Sequence, residues 1–378
     1  MIQEIYEQNP FLFFTLLTLV LATLVQVIYY WIIYGKVAFF KQKNEFVRSD
    51  QPVSVIVCAR DEYYNLKENL PLLLTQDYST FEVVVVNHGS EDETNYLLRD
   101  LSDEYKNLKI VNVSQDLNFF TGKKFPLSIG IKSASYEVLL FTDADCKPSS
   151  NQWIRRMAAN FTEETEIVLG YGAYNKSGSL INLLIRFDTT RVAMNYLSFA
   201  RAGMPYMGVG RNMAYRKSLF FRQNGFISHY RIQSGDDDLF INKAATGKNT
   251  RIEIQAEAHT DSAPKSSLNE WLRQKRRHLQ TGGYYKPMHK FALGVFAITQ
   301  VLFWALAILL LVMWYQPYIV LGIVALRLFS QLFITGKVMK KLSEKGFLFL
   351  VPFFELFLMI ISPFLAFANM LNKPVKWR

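Results

Sequence analysis

Long apolar stretches at both ends of the chain constrain its fold more than any other feature. From residue 10 to about residue 34 almost every side chain is apolar, and such a run is long enough to cross a bilayer as a helix. A signal peptide is the alternative interpretation, but the preceding flank is acidic (Glu4 and Glu7) and no cleavage site of small residues follows. The basic residues after the run predict an N-terminus outside and a cytoplasmic domain behind it. They are Lys36, Lys41, Lys43 and Arg48.

Three further apolar stretches occupy the C-terminal part, at 291–314, 317–335 and 347–371. The first two are predicted to span the membrane, and the basic loop behind them is predicted to be cytoplasmic. If the third also spanned, the basic tail at 373–378 would lie outside, against the positive-inside rule, so a re-entrant or interfacial segment is the alternative. Arg327 and Glu355 are charges at membrane depth. We expect them to pair between helices, to line a polar cavity or to reach the headgroups.

Composition narrows the range of partners. The chain has 378 residues, and its 42 Lys and Arg outnumber its 32 Asp and Glu by ten. A basic chain fits nucleic acid, anionic lipids or phosphorylated substrates. Because the basic residues cluster near apolar stretches, membrane lipids and phosphorylated substrates are the predicted partners, and nucleic acid is not. Cys58 and Cys146 show no metal-ligand spacing and are predicted to be buried free thiols.

The middle of the chain has the pattern of an α/β domain. Unbroken apolar runs without alternation predict buried strands at 53–58, 81–86, 108–113 and 137–142. Helical patterns follow the first two, which favours a parallel sheet covered on both faces. The predicted organisation is an N-terminal transmembrane helix (1–35), a cytoplasmic catalytic domain with interfacial helices (36–290), and a C-terminal membrane region of two to four spans or re-entrant segments (291–378).

An acidic motif, F-T-D-A-D-C, directly follows the fourth predicted strand. Asp143 and Asp145 are two residues apart, so both carboxylates can face one side and share a hard cation. Mg²⁺ or Mn²⁺ held there can stabilise a diphosphate leaving group. A turn cap or a helix N-cap is the structural alternative.

Two more polar motifs follow along the chain. S-G-D-D-D-L-F-I-N-K (234–243) places three carboxylates before a helical pattern, which is typical of a general base or, alternatively, of an over-charged capping segment. W-L-R-Q-K-R-R-H (271–278) lies just before an apolar stretch. Its arginines can bind a departing diphosphate, or the cluster can contact anionic lipid.

The order of these three motifs resembles the family 2 glycosyltransferases of the GT-A fold, particularly the membrane-integrated synthases of cellulose, chitin and hyaluronan. The resemblance covers residues 52–283 and implies a Rossmann-like nucleotide-diphospho-sugar transferase domain flanked by transmembrane helices. It implies that Asp143 and Asp145 hold the metal and diphosphate, and that Asp237 is the catalytic base.

The same resemblance implies roles for other residues. The implied donor-binding residues are Ala59, Asp61, Glu62, His88, Lys123 and Lys124. The implied acceptor and diphosphate residues are Asp236, Asp238, Gln274, Arg277 and His278, and G-V-G-R-N-M-A-Y-R is similar to the family's acceptor-side segment. Two departures stand out. Asn87 and His88 replace an acidic pair that helps to hold the nucleoside, and His278 replaces a tryptophan.

The predicted function is inverting transfer of a hexose from a nucleotide-diphosphate sugar, expected to be a UDP-sugar, to a lipid or saccharide acceptor. We expect an integral protein of a bacterial inner membrane, with its catalytic domain in the cytoplasm. The few predicted spans favour transfer of one or a few sugars over polymer extrusion and argue against a transporter. A non-catalytic membrane scaffold or regulatory relative is the alternative, since the acidic pair is lost at Asn87 and His88.

Overall fold

The computed structural model describes residues 6–7, 9–41, 51–114, 122–232 and 234–371. Some predictions concern residues outside these ranges. They are the acidic residue Glu4, the basic residues Lys43 and Arg48, and the basic tail at 373–378. Every residue predicted for the functional site lies inside the described ranges.

A seven-stranded mixed sheet forms the centre of the soluble domain, in the order β3-β2-β1-β4-β8-β6-β9. Its strands are β1 (Val53–Ala59), β2 (Phe81–His88), β3 (Leu108–Val113), β4 (Val138–Asp143), β6 (Ile167–Leu169), β8 (Met213–Arg216) and β9 (Thr250–Ile252). The first four run parallel, which confirms the prediction, with bounds shifted by two residues or fewer. β8 is antiparallel to both β4 and β6 and was not predicted.

A second sheet of three short strands begins directly after the acidic motif. Its strands are β5 (Cys146–Pro148), β7 (Gly172–Tyr174) and β10 (Thr260–Ser262). β10 lies in the middle, antiparallel to β5 and parallel to β7. The carboxyl edge of β4 therefore continues into a small separate sheet rather than into solvent.

Helices connect the strands and form the apolar ends. In the soluble domain they are α3 (Tyr63–Leu74), α4 (Thr94–Glu104), α5 (Lys124–Ser133), α6 (Trp153–Ala158), α7 (Leu180–Arg201), α8 (Lys217–Arg222), α9 (Asp238–Ala244) and α10 (Leu268–His278). The apolar ends contain α1 (Pro10–Ile28), α2 (Gly35–Ala38), α11 (Pro287–Val312), α12 (Pro317–Lys341) and α13 (Val351–Leu371). A π-helical segment, Tyr29–Tyr34, joins α1 to α2.

Both faces of the large sheet are covered, which explains its unbroken apolar strands. All seven residues of β1 are buried. Val55 packs with Leu66 of α3 on one face, and the next residue, Ile56, packs with Ile131 of α5 on the other. Alternate side chains of one strand thus enter two different hydrophobic cores.

Four helical segments are long and apolar enough to cross a membrane: Pro10–Ala38, Pro287–Val312, Pro317–Lys341 and Leu348–Leu371. They coincide with the four apolar stretches of the sequence. Arg327 and Glu355 pair between α12 and α13, with Arg327 Nη2 2.6 Å from Glu355 Oε1. Of the three alternatives for these charges, the structure has the helix-to-helix pair.

The connection between α12 and α13, and α13 itself, contact the soluble domain. In that connection, the Glu344 carboxylate accepts hydrogen bonds from Arg186 of α7. In the last turn of α13, Asn369 accepts a 3.0 Å hydrogen bond from Arg276 of α10. Between these contacts, Phe354 and Leu358 are buried in a cluster with residues of α7 and α10.

Candidate active site

The carboxyl ends of three neighbouring strands meet at one edge of the large sheet. Ala59 ends β1, His88 ends β2 and Asp143 ends β4. The register pairs Ala59 with Asn87 and Cys58 with Asp143, so the three strands end at the same level. The structure therefore brings the predicted donor residues at the ends of β1 and β2 and the predicted metal residues to one edge, where α/β proteins bind ligands.

Asp143 and Asp145 form a cluster that can hold a metal ion. One carboxylate oxygen of each aspartate and the Cys146 sulfur all lie within 4.8 Å of one another. Two carboxylates at a strand end suit a hard divalent cation such as Mg²⁺ or Mn²⁺. Glu62 lies near this cluster. Burial, followed by the negative charges of Asp145 and Asp143, raises the pKa of its carboxyl group. The donor set thus fits the predicted cation.

Lys123 forms an ion pair with Asp143. Burial works against ionisation of Asp143, but Lys123 outweighs it, so the pKa of Asp143 is lowered. Among the described residues Asp145 has no ion-pair partner, and burial, followed by the Asp143 charge, raises its pKa. The two carboxylates of the motif therefore differ in their readiness to ionise when no cation is bound.

Lys124 lies apart from this cluster. Its ammonium group donates hydrogen bonds to the backbone carbonyls of Ile232 and Ser234, and its side chain is buried. It therefore supports the loop that leads into the three consecutive acids. Of the two predicted donor lysines, the structure brings only Lys123 to the acidic motif.

The three consecutive acids have three different environments. Asp236 is partly exposed, and its charge acts on Lys123. Asp237 caps α9: its carboxylate accepts the backbone N–H of Asp238 at 2.7 Å and of Gly210 at 2.8 Å. Burial, followed by the charges of Asp236 and Asp238, raises the pKa of Asp237 to about 8. A carboxyl group with this pKa is suited to accept a proton near neutral pH.

Asp238 points away from the strand edge, toward the turn before α11. It is buried, and its Oδ2 accepts hydrogen bonds from the hydroxyls of Thr281 and Tyr285. The Tyr285 bond is 2.8 Å long. This contact ties the start of α9 to the entry of α11.

Helix α10 presents the last predicted group of residues. Gln274 donates a 3.2 Å hydrogen bond to the Tyr174 hydroxyl. Arg277 is partly exposed, and its guanidinium forms no ion pair or hydrogen bond within the part of the chain that the structure describes. Its charge nevertheless contributes to the lowered pKa of Asp143. His278 is exposed at the surface, and desolvation, followed by the charge of Arg277, lowers its pKa.

The residues that replace the family's acidic pair are engaged in the fold. The Asn87 amide donates to Asn95 at 2.5 Å and to Asn112 at 3.2 Å, and its oxygen accepts the Ser90 hydroxyl. His88 is buried, and burial followed by the charge of Arg60 lowers its pKa. Both positions are therefore neutral at physiological pH.

Asp61 joins the loops after β1 and β2. Its backbone has a positive φ of 54°. Its N–H donates to the Ser90 hydroxyl, and its carboxylate accepts the Glu91 N–H at 2.8 Å. Asp61 thus holds these two loops together at the strand edge.

Sequence reasoning did not single out Arg211, which stands between the acidic motif and α10. Its charge acts on Asp143, Asp145 and His278. The only sequence signal was the arginine in G-V-G-R-N-M, a segment assigned as a whole to the acceptor side. Its neighbour in space, Tyr174, comes from β7, which was too short to predict.

Comparison with known proteins gives a match over most of the chain. The model of the family described as glycosyl transferase family 21 matches residues 17–378. Glycosyltransferase AglE of Haloferax volcanii is 29% identical over 191 residues, 49% of this chain and 58% of that protein. A poly-beta-1,6-N-acetyl-D-glucosamine synthase of Staphylococcus epidermidis is 30% identical over 125 residues, 31% of this chain and 29% of that protein. The chain thus covers less than two thirds of either relative.

A solved structure supports the fold. The mannosyltransferase PcManGT from Pyrobaculum calidifontis, in complex with GDP-Man and Mn²⁺, matches with a TM-score of 0.57 at 18% identity. The match covers 86% of this chain and 96% of that chain. It confirms the predicted GT-A fold.

Proposed function

The chain belongs to glycosyl transferase family 21, and on this premise we propose that it transfers a hexose from a nucleotide-diphosphate sugar with inversion, dependent on a divalent metal. The observation that carries the proposal is the meeting of the Asp143 and Asp145 cluster with the Lys123 ammonium at the carboxyl edge of β4. Carboxylates and a cation at this edge match the needs of a metal-bound diphosphate.

The donor lies, in this proposal, across the ends of β1, β2 and β4. The loop of Ala59, Asp61 and Glu62 borders the nucleoside with His88, while the diphosphate meets the acidic motif. When bound, a divalent cation on Asp143 and Asp145 neutralises the charge of the leaving diphosphate. Arg277, whose guanidinium has no partner within the described residues, adds a second positive charge at the same place.

Asp237 is the proposed base. It removes the proton from the acceptor hydroxyl as that oxygen attacks the anomeric carbon, and the bond to the diphosphate breaks on the opposite side. Each of its oxygens accepts one backbone N–H and keeps a lone pair for the incoming proton. Asp236, Gln274 and His278 line the acceptor side, and Asp238 positions the base through Thr281 and Tyr285.

The acceptor is proposed to be a lipid or saccharide that reaches the site from the cytoplasmic membrane face. Two observations support this orientation: Arg276 of α10 bonds to the last turn of α13, and Asp238 bonds to the entry of α11. The proposed site therefore adjoins the helices that enter the membrane. The donor is proposed to be a UDP-sugar, and GDP-Man, present in the PcManGT structure, is the second donor to test.

The test is release of nucleoside diphosphate by the purified full-length protein in detergent, measured across UDP- and GDP-sugars with and without Mn²⁺. We expect release from one donor only when metal is present, and a loss of about 100-fold or more in Asp143→Ala because the diphosphate charge is then uncompensated. Glu163→Ala, an exposed change distant from the strand edge, is the control and keeps full activity.

Two outcomes oppose the proposal. If Asp143→Ala still releases nucleoside diphosphate without metal, the acidic motif does not bind a catalytic metal. Absence of both release and nucleotide binding across all donors favours the non-catalytic alternative, with the neutral pair Asn87 and His88 as its physical reason.

A further inference from the structure

Arg211 is a charged residue of the site that the motifs do not explain. No ion pair of Arg211 occurs within the described residues, although Asp143 and Asp145 are near enough for its charge to affect both. Its one side-chain hydrogen bond is a long contact of 3.4 Å from Nη1 to the Ser262 hydroxyl. Its Nε is buried and has no partner. A guanidinium with unused donors beside two carboxylates is costly unless a ligand uses them.

The fold holds this guanidinium in place. The centre of the Arg211 guanidinium lies 4.4 Å from the centroid of the Tyr174 ring, and the Tyr174 hydroxyl accepts a hydrogen bond from Gln274. The Arg211 carbonyl accepts the hydroxyls of Thr142 and Thr260, which fixes its backbone between the two sheets. A cation stacked on an aromatic ring loses little further entropy when it binds an anion.

The neighbouring strand leaves room for the side chain. A Cβ on Gly172 of β7 would lie 2.4 Å from Arg211 Nε and 2.6 Å from its Cγ. The absence of a side chain at Gly172 therefore lets Arg211 lie across β7.

We infer that Arg211 binds the diphosphate of the donor, as a second guanidinium besides Arg277, and that Tyr174 and Gln274 position it. This inference rests on the proposed function. It gives Gln274 a task that its sequence motif alone does not reveal, because Gln274 acts through the Tyr174 ring. A planar guanidinium with two parallel N–H groups fits a phosphate better than an ammonium does.

The experiment measures binding of UDP and GDP, and of the corresponding monophosphates, to the full-length protein in detergent with Mn²⁺ by calorimetry. We expect Arg211→Ala to weaken binding of the preferred diphosphate by about 10- to 100-fold. The preference for diphosphate over monophosphate should fall with it. Arg211→Lys should recover only part of the affinity, because an ammonium cannot stack and bind in the same plane.

Arg216→Ala is the matched control. Arg216 also stacks on an aromatic ring, 5.5 Å from the centroid of Phe161, and bonds to backbone carbonyls away from the site. We expect it to leave diphosphate affinity unchanged. Tyr174→Leu removes the ring under Arg211 and should reproduce most of the Arg211→Ala effect, whereas thermal unfolding of each variant reports any general damage.

The outcomes separate the inference from the proposed function. If the wild type binds diphosphate and Asp143→Ala weakens it while Arg211→Ala does not, the inference is wrong and the proposed function stands. An equal loss of diphosphate and monophosphate affinity in Arg211→Ala also overturns it, since that result places Arg211 at the part that both ligands share and not at the terminal phosphate. If the wild type binds no nucleotide, both fail.

Discussion

Asp237 is subject to two opposing influences. Two backbone N–H groups favour its ionised form, whereas burial and the flanking charges of Asp236 and Asp238 disfavour it. The second influence is larger, so its pKa rises to about 8. The hydrogen bonds thus fix the direction of the carboxylate, and the low-dielectric surroundings make it a stronger base than an exposed aspartate.

This balance gives an expected pH dependence. The base must be ionised to accept a proton, and below pH 8 Asp237 is mostly protonated. We therefore expect kcat to rise about tenfold per pH unit up to about pH 8 and then to level. Asp237→Asn should lower kcat by about 100-fold or more and leave diphosphate affinity nearly unchanged.

A pH profile of kcat with saturating donor checks this expectation. Asp261→Asn serves as the comparison. Asp261 lies on β10 of the small sheet and accepts a hydrogen bond from the Ser149 hydroxyl, so this variant should keep the wild-type profile. A profile that stays flat between pH 6 and 8 would remove Asp237 from the role of base.

At the scale of helices, a buried polar cluster joins four apolar segments. Arg327 bonds to Glu355 and Gln331 at 2.6 Å each, and to Gln26 of α1 at 3.3 Å. Trp304 of α11 donates to Glu355 at 3.0 Å. Arg327 is fully buried. Because each partner comes from a different helix or turn, the cluster fixes the relative placement of α1, α11, α12 and α13.

Removing one charge of this pair should be costly. Arg327→Met leaves Glu355 buried without a counter-charge, and we expect a loss of about 3–5 kcal/mol in the free energy of unfolding. Adding Glu355→Gln removes the unpaired charge and should recover most of that loss. Thermal unfolding in detergent measures both variants. If the double variant is no more stable than Arg327→Met, the unpaired Glu355 charge is not the cause of the lost stability.

The sequence predicted regular elements better than it predicted contacts between them. The strand ending at Asp143 and the helix beginning at Asp238 were predictable, because apolar runs and carboxylate positions are local signals. Strands of three or four residues, such as β7, carry too little pattern to recognise. Arg211 was missed for the same reason, since the position of its guanidinium depends on Tyr174 from that strand.

The glycosyltransferase class and the GT-A fold are confirmed by the comparisons, whereas finer predictions stay predictions. The matching family carries the number 21, and the family 2 label, inversion and metal dependence were not tested by it. A resemblance in these motifs concerns the site that related transferases share. It does not identify the residues that distinguish one family from another.

For the whole molecule, polar contacts join the soluble domain to the long apolar helical segments. Tyr34 of the π-helical segment donates a 2.8 Å hydrogen bond to Asn195 of α7. Asn242 of α9 accepts the N–H of Lys286 at the entry of α11, and Arg186 bonds to Glu344 after α12. Each of these three junctions between the domain and an apolar helical segment therefore includes a polar contact.

The position of α13 bears on whether the chain crosses the membrane an odd or an even number of times. Because α13 packs against the domain through Phe354, Leu358 and Asn369, we expect α1, α11 and α12 to cross the membrane and α13 not to cross it. Three crossings would place residues 10 and 371 on opposite faces of the membrane. A reporter enzyme fused after residue 378, active only in the cytoplasm, should then be active. If only a reporter that requires export were active at this position, the number of crossings would be even.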